Sequence, residues 1–281
     1  MIQTAIRPRP IARRLRGMAT SDGAGVRLTR LIGTQSLSYL DPFLMLDEFG
    51  SDKPGDYIAG FPSHPHRGFE TVTYMLDGRM RHKDNHGNEG LMTAGSVQWM
   101  TAGRGIVHSE MPEQEQGLMR GFQLWVNLPA KEKMGQPRYQ EFSANRIPEL
   151  TPAAGVSVKV IAGGVGEVRG PVQQPATDPL YLDIGLGAGA KLEQPIPVGH
   201  NAFAYVYEGE VGIASETVGK GELIVLGEGE VFAVTGKATN SRLILVAGKP
   251  IGESVARHGP FVMNTQAEII QAVQDFQAGR F

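Results

Sequence analysis

The sequence predicts an all-β protein, because it turns often and is rich enough in apolar residues to form a core. Its 37 glycines and 18 prolines are close to a fifth of the 281 residues, above the roughly 12% of an average globular chain. Frequent turns favour many short strands over long helices. Hydrophobic residues make up 41% of the chain, which excludes a mainly disordered protein, and the length allows two domains.

The first half contains strand-like segments separated by turn residues. The clearest is FETVTYML (69–76), which is rich in β-branched and aromatic residues and runs into Asp77-Gly78. This dipeptide is a typical hairpin turn, so residues 79–84 are predicted to form the returning strand. Hydrophilic residues 85–90 are predicted to form another turn. Further strands are predicted in 26–33, 41–50, 95–112 and 121–129.

Composition turns polar over residues 130–143, which we predict to be the boundary region between domains 1–133 and 134–281. Strands are then predicted in 156–163, 179–186, 202–213, 221–236 and 241–248. Only the end of the chain (265–281) has helical periodicity, with Thr265 and Glu268 spaced as a capping box. Segments 70–78 and 201–209 share a strand that runs into an acid-Gly turn. This weak repeat predicts two copies of one β-barrel or sandwich unit.

Charge and composition exclude several classes of protein. The net charge is −2, so nothing global favours binding to nucleic acid or to an anionic membrane. The absence of cysteine excludes disulfides and thiolate metal sites. No apolar run approaches a membrane span, and the start lacks a secretory signal, so we expect a cytoplasmic protein. The basic start, with Arg13, Arg14 and Arg16, is predicted to be a solvated strand edge, in preference to a transit peptide or a nucleic-acid-binding arm.

Two residue pairs have the spacing of metal ligands on strands. His64 and His66, and likewise His108 and Glu110, are two residues apart, so each pair points to one face with Cα atoms about 6.5–7 Å apart. If the two strands lie side by side, three imidazoles and one carboxylate meet. Such a set suits Fe(II), Mn(II), Ni(II) or Co(II) and leaves two octahedral positions open. The alternative is that these are surface or hydrogen-bonded histidines.

The remaining polar candidates are interpreted more simply. His82 and His86 lie in a hydrophilic, turn-rich stretch and are predicted to be exposed at a hairpin tip. His200 and His258 are predicted to be structural. Glu70 could be a ligand, a residue that orients a histidine, or a member of a buried ion pair. A further candidate is Gln123, which could offer its amide to a substrate or be satisfied within the core.

Several motifs together resemble the pirin family of bicupins. They are DPFLMLDEFG (41–50), HPHRGFETVTYMLDG (64–78), GRGIVHSEMP (103–112), GFQLWVNLP (121–129) and GPFVMNT (259–265). The resemblance implies two stacked antiparallel β-barrels of jelly-roll type with a short C-terminal helix. It also implies one non-haem metal, usually Fe(II), in the N-terminal barrel, with Mn, Ni, Co or Zn as other candidates. The family's ligands fall on His64, His66, His108 and Glu110. Glu70 is then expected beside the site and off the metal, and the C-terminal barrel is expected to hold no metal.

The family resemblance implies two kinds of function. One is quercetin 2,3-dioxygenase activity, in which Glu110 accepts the flavonol hydroxyl proton and dioxygen opens the ring with release of carbon monoxide. The other is an iron-dependent, redox-sensing regulator that binds a transcription factor or a metabolic enzyme. Another metal-dependent enzyme on the same fold stays open, because fold does not fix function. The expected ligands are a flavonol-like molecule and dioxygen, and a monomer is expected.

Overall fold

Strands make up most of the protein, as predicted. The computed structural model describes residues 7–281; residues 1–6, the start of the predicted domain 1–133, lie outside them. Strands of the first half, in chain order, are β1 (Ile11–Arg16), β2 (Met18–Asp22), β3 (Val26–Ile32), β4 (Phe43–Ser51), β5 (Phe61–His66), β6 (Phe69–Asp77), β7 (Arg79–Asp84), β8 (Glu89–Thr93), β9 (Val97–Thr101), β10 (Ile106–Pro112), β11 (Met119–Asn127) and β12 (Arg138–Phe142).

The second half adds shorter strands and the longer of two α-helices. Its strands are β13 (Glu149–Leu150), β14 (Val156–Ala162), β15 (Gly164–Val165), β16 (Val168–Arg169), β17 (Leu180–Leu186), β18 (Lys191–Pro195), β19 (Asn201–Glu208), β20 (Glu210–Ile213), β21 (Glu216–Gly219), β22 (Glu222–Leu226), β23 (Val231–Gly236), β24 (Ser241–Gly248), β25 (Ala256–His258) and β26 (Phe261–Met263). Helices are α1 (Ala130–Lys133) and α2 (Gln266–Gln277), with 3-10 turns at Pro54–Asp56 and Ala144–Arg146. Neither α-helix among residues 7–281 has the length and apolar character that a membrane crossing needs.

The chain forms two compact units with the same sheet plan. The first unit contains residues 18–146 and 251–281; the second contains residues 7–17 and 147–250. Each has one seven-stranded sheet, β12-β9-β6-β11-β4-β3-β2 or β1-β22-β19-β24-β17-β14-β13. Each also has one four-stranded sheet, β5-β10-β7-β8 or β18-β23-β20-β21. The strands that gave the weak sequence repeat, β6 and β19, occupy the same position in this plan, in agreement with the predicted duplication.

Each of the two units is built from two separate segments of the chain. The basic strand β1 pairs antiparallel with β22 at the edge of a second-unit sheet, where Arg14 bonds Glu222 at 2.6 Å. The prediction of a strand edge is therefore confirmed, although its partner lies far along the chain. Residues 130–143 form α1 and β12, and β12 pairs with β9 of the first unit. Residues 251–281 also belong to the first unit, because their hydrogen bonds and apolar contacts are made there.

Helix α2 begins as the sequence predicts. The Thr265 hydroxyl accepts from the Glu268 amide, and the Glu268 carboxylate accepts from the Thr265 amide at 2.8 Å, a complete capping box. One face of the helix packs Ile269 and Ala272 against β26. On its last turns Asp275 accepts a 2.7 Å bond from Arg67, which follows β5 and is 3% exposed. The helix is therefore tied to the first unit by an ion pair as well as by apolar contacts.

We expect Asp275→Asn to destabilise the first unit by about 2 kcal/mol at pH 6, because Arg67 would stay buried without its carboxylate. The pKa of Asp275 is held well below its usual value, first by Arg67 and then by Arg280. The contribution of the Asp275 carboxylate to the free energy of unfolding is therefore complete above the unfolded carboxyl pKa of about 3.9. This contribution is lost as the pH falls below that value. Urea unfolding at pH 6 and pH 3.5, followed by tryptophan fluorescence, measures the difference.

Tryptophan fluorescence is specific to this unit, because the chain has two tryptophans and both, Trp99 and Trp125, lie in residues 18–146. The matched control is Asp52→Asn, at an exposed position, for which we expect little change at either pH. If Asp275→Asn lowers the free energy of unfolding as much at pH 3.5 as at pH 6, the ion-pair explanation is contradicted.

Candidate metal centre

The register of β5 against β10 brings three histidines together. His64 lies directly opposite His108, and His66 lies opposite Ile106 in the same antiparallel pair. Ring centroids are 4.7 Å apart for His64 and His66, 4.5 Å for His64 and His108, and 5.0 Å for His66 and His108. One ring nitrogen from each lies within 4.8 Å of the other two. The two strands predicted to carry ligand pairs therefore do lie side by side.

Two of the three imidazoles are held in the neutral form. His66 and His108 are buried, and burial, together with the neighbouring imidazoles, lowers the pKa of each well below its usual value. Both are therefore neutral at pH 7, the form that binds metals. His64 is half-buried, and its Nδ1 lies 2.8 Å from the Pro62 carbonyl oxygen, which leaves Nε2 for another partner.

Unpartnered nitrogens show that these residues fit a metal ion. Within the described chain, Nδ1 of His66 and both ring nitrogens of His108 are buried without a hydrogen-bond partner. Buried polar atoms almost always have partners, and a lost hydrogen bond costs about 1–3 kcal/mol. A cation coordinated by this group would supply a partner for one ring nitrogen of each histidine. Imidazole donors suit Fe, Ni, Cu and Zn, so the donor set alone leaves the metal open.

Glu110 lies beside this group but outside it. The three-histidine group does not include its carboxylate, although Glu110 is buried and lines the same cavity as His64 and His66. Thr73 Oγ1 lies 3.0 Å from Glu110 Oε1 and 2.7 Å from Gln123 Oε1. Burial raises the pKa of Glu110. The role of Glu110 as a fourth ligand stays a prediction.

A cavity of about 600 Å³ opens beside the histidines within the first unit. Its size lies in the usual range for pockets that bind small molecules, roughly 300–1,000 Å³. Trp125 and Phe49 provide aromatic surface, Met45 and Met80 provide flexible apolar surface, and Gln123 provides an amide. The prediction that Gln123 could reach a substrate is therefore consistent with its position.

One histidine prediction is wrong and a second is confirmed. His82 is not at an exposed tip: it is 1% exposed on β7, and its Nε2 lies 2.5 Å from Glu141 Oε1. Gly90 leaves room for this ring, since a Cβ there would come within 2.3 Å of His82 Nε2. His86 is exposed in the turn after β7, as predicted.

Two of the other polar candidates are buried and one is exposed. His200 is buried with its Nε2 3.7 Å from Asp178, and His258 is exposed. Glu70 is fully buried and accepts a 2.6 Å bond from Thr101. Its proposed place beside the metal ligands stays a prediction.

The sequence gives no local signal for the way the C-terminal hairpin supports the site. The amide of Val262, on β26, donates to the Arg67 carbonyl at 3.0 Å, next to His66. Gly68 has φ 86°, and a Cβ there would come within 2.0 Å of the Val262 oxygen. Lys133 Nζ donates to the carbonyls of both Gly68 and Val262 and to Asn127. Lys133 is buried because the backbone segments of Gly68 and Val262, which are far apart in sequence, approach each other closely and offer it acceptors.

The comparisons with known proteins agree with the geometry. A family model described as Pirin matches residues 25–126, and one described as Pirin C-terminal cupin domain matches residues 181–281. The chain belongs to the pirin family. It is 55% identical to a Pirin-like protein of Caulobacter vibrioides, over 97% of this chain and 99% of that protein. It is also 48% identical to human Pirin, over 92% of this chain and 88% of that protein.

A solved structure shows the same fold over nearly the full length. The crystal structure of quercetin 2,3-dioxygenase from Acinetobacter baumannii matches with a TM-score of 0.91 and 33% identity, and the match covers 98% of each chain. The expected bicupin fold of this mostly β chain is thereby supported, and the resemblance stated from the motifs is confirmed.

We expect His108→Ala to weaken binding of Fe(II) by about 100-fold or more, since even residues outside the ligand set change metal affinity by about 10–100-fold. Anaerobic equilibrium dialysis followed by elemental analysis measures iron per chain. The matched control is His86→Ala, which removes an exposed histidine outside the group and should leave iron binding unchanged. Equal iron retention by His108→Ala and His86→Ala would exclude the three-histidine site.

Proposed function

We propose that this protein is a metal-dependent dioxygenase that opens the ring of a flavonol such as quercetin and releases carbon monoxide. We further propose that Fe(II) is held by His64, His66, His108 and Glu110. The observation that supports this best is that His66 and His108, in this group beside a cavity of about 600 Å³, are buried and neutral and have unpartnered nitrogens. The likeness to a protein described as quercetin 2,3-dioxygenase adds support. Mn, Ni, Co or Zn would also suit these nitrogen and oxygen donors.

The cavity wall would bind and orient an aromatic substrate. Trp125 is the residue best placed for this, because its ring centroid lies 5.3 Å from that of His66 and 4.3 Å from that of Phe69. A planar ligand in contact with this indole would present one edge to the histidines. The apolar side chains of Met45 and Phe49 in the lining would exclude water from the same space.

Glu110 is the residue that we propose accepts the substrate hydroxyl proton. Its pKa is raised by burial, which makes its carboxylate a stronger base than an exposed one. Thr73 contacts Glu110 and would hold the carboxylate in place. A bound metal would supply the complementary chemistry, by lowering the pKa of that hydroxyl and by exchanging electrons with dioxygen.

The regulatory alternative gains no specific support from the structure. Its sequence basis was the basic N-terminal segment, and there Arg14 and Arg16 form ion pairs with Glu222. A redox-sensing role with a protein partner stays a prediction, as does another metal-dependent reaction at the same site. The monomeric state, the cytoplasmic location, the domain ranges 1–133 and 134–281, the metal-free second half and the stacking of two closed barrels also stay predictions.

We expect the protein, stripped of metal and reloaded anaerobically with Fe(II), to release carbon monoxide from quercetin when air is admitted. Glu110→Gln should lower the rate per bound iron by about 10²–10⁴-fold, because the proton acceptor is lost. Carbon monoxide and bound iron are measured on the same samples. Glu115→Gln, at an exposed position between β10 and β11, is the matched control.

One result would contradict this function, and another would contradict the role of Glu110. If protein shown to hold one iron per chain releases no carbon monoxide, the regulatory alternative becomes the better hypothesis. If Glu110→Gln matches the wild-type rate per bound iron, the dioxygenase function stands but Glu110 is not the base.

A further inference from the structure

An arginine of the C-terminal hairpin stands on the wall of the cavity that holds the histidines. Arg257, on β25, lines the cavity together with Trp125 and His66. Its guanidinium carbon lies 4.8 Å from the centroid of the Trp125 ring, and the His66 ring lies 5.3 Å from the same centroid. His66, Trp125 and Arg257 therefore form a continuous wall, with the metal-binding group at one end and a positive charge at the other.

Arg257 differs from the second arginine of the lining in having no bonded counter-ion. Arg30 donates two bonds to Asp47, at 2.9 and 2.7 Å, and one to Asp22 at 2.9 Å. Both of these aspartates also line the cavity, and each is held by Arg30.

The contacts of Arg257 are much weaker. In the described part of the chain, no carboxylate lies within ion-pair distance of its guanidinium. Its polar contacts are the Leu44 carbonyl at 3.5 Å and the Met45 sulfur at 4.0 Å. Several of its five N–H donors are therefore available to a ligand.

We infer that Arg257 binds a carboxylate on the substrate, so that the preferred substrates are aromatic acids with metal-binding oxygens at the opposite end. The inference rests on the proposed function only in placing an aromatic substrate in this cavity. A planar guanidinium matches the two oxygens of one carboxylate, and the Trp125 face beneath it holds the fork in place. A phosphate would need more hydrogen-bond donors than this wall offers, because Arg30, the second arginine of the lining, is already bonded to two aspartates.

A matched pair of ligands tests the inference by binding alone. Caffeate presents two adjacent hydroxyls and a carboxylate at opposite ends, and in caffeate methyl ester that carboxylate is replaced by a neutral ester. Anaerobic titration calorimetry on Fe(II)-loaded protein gives both dissociation constants without turnover. We expect the wild type to prefer the acid by about tenfold or more, since hydrogen bonds to charged groups contribute about 1.5–3 kcal/mol.

Arg257→Gln should abolish this preference and leave the affinity for the ester unchanged, which also shows that the cavity is intact. Arg257→Lys should retain part of the preference, because it keeps the charge but not the planar fork. Arg27→Gln is the matched control: Arg27 is exposed, pairs with Asp56 at 3.2 Å and is outside the cavity lining, so the preference should persist.

The inference is overturned if the wild type does not distinguish acid from ester, if it binds neither, or if Arg257→Gln keeps the preference. These outcomes are separate from failure of the proposed function. Carbon monoxide release from quercetin can fail while the acid is still preferred, in which case the reaction is another one. It can also succeed without any preference for the acid, and then only the role of Arg257 is lost.

Discussion

The register of β5 against β10 is the constraint on which the metal centre depends. Because His64 and His108 are directly opposite and His66 is two residues further along, all three imidazoles share one face. A slip of one residue would turn His64 and His66 to the other face of the sheet. The pairing of β10 with β7 on its other side places Glu110 opposite His82. Pairing with β5 on one side and with β7 on the other therefore fixes the position of β10, which carries His108 and Glu110.

The second constraint is the approach of the C-terminal hairpin to the turn after His66. Gly68 has no side chain to keep β26 away, and Lys133 bonds the carbonyls of Gly68 and Val262 from a buried position. The pKa of Lys133 is lowered to about 8 by burial. Its charged form is therefore stabilised near neutral pH by the hydrogen bonds that it donates to these carbonyls. The hairpin also places Arg257 at the cavity. The packing of this hairpin therefore determines part of the lining of the ligand site.

Local pattern was sufficient to predict part of this arrangement. Spacing by two residues predicted that His64 and His66 share one face of a strand, as His108 and Glu110 do, because this spacing is a property of neighbouring residues. The prediction for His82 failed because its stretch is hydrophilic, whereas its burial is decided by Glu141 and by the space at Gly90. The same reason applies to Arg67 and Asp275, 208 residues apart in sequence. Pairs of this kind are set by the folded chain, and no local periodicity reports them.

The two units have the same sheet plan but fill it with different kinds of side chain. In the second unit, positions on β18 and β23 are filled by Leu192, Phe232 and Val234, which belong to a large apolar core. The corresponding strands of the first unit, β5 and β10, carry imidazoles with unpartnered buried nitrogens. Each such atom costs about 1–3 kcal/mol, so these strands of the first unit give up stability that an apolar lining would provide. A cation that satisfies these nitrogens only in the folded chain would restore part of it, which couples metal loading to folding.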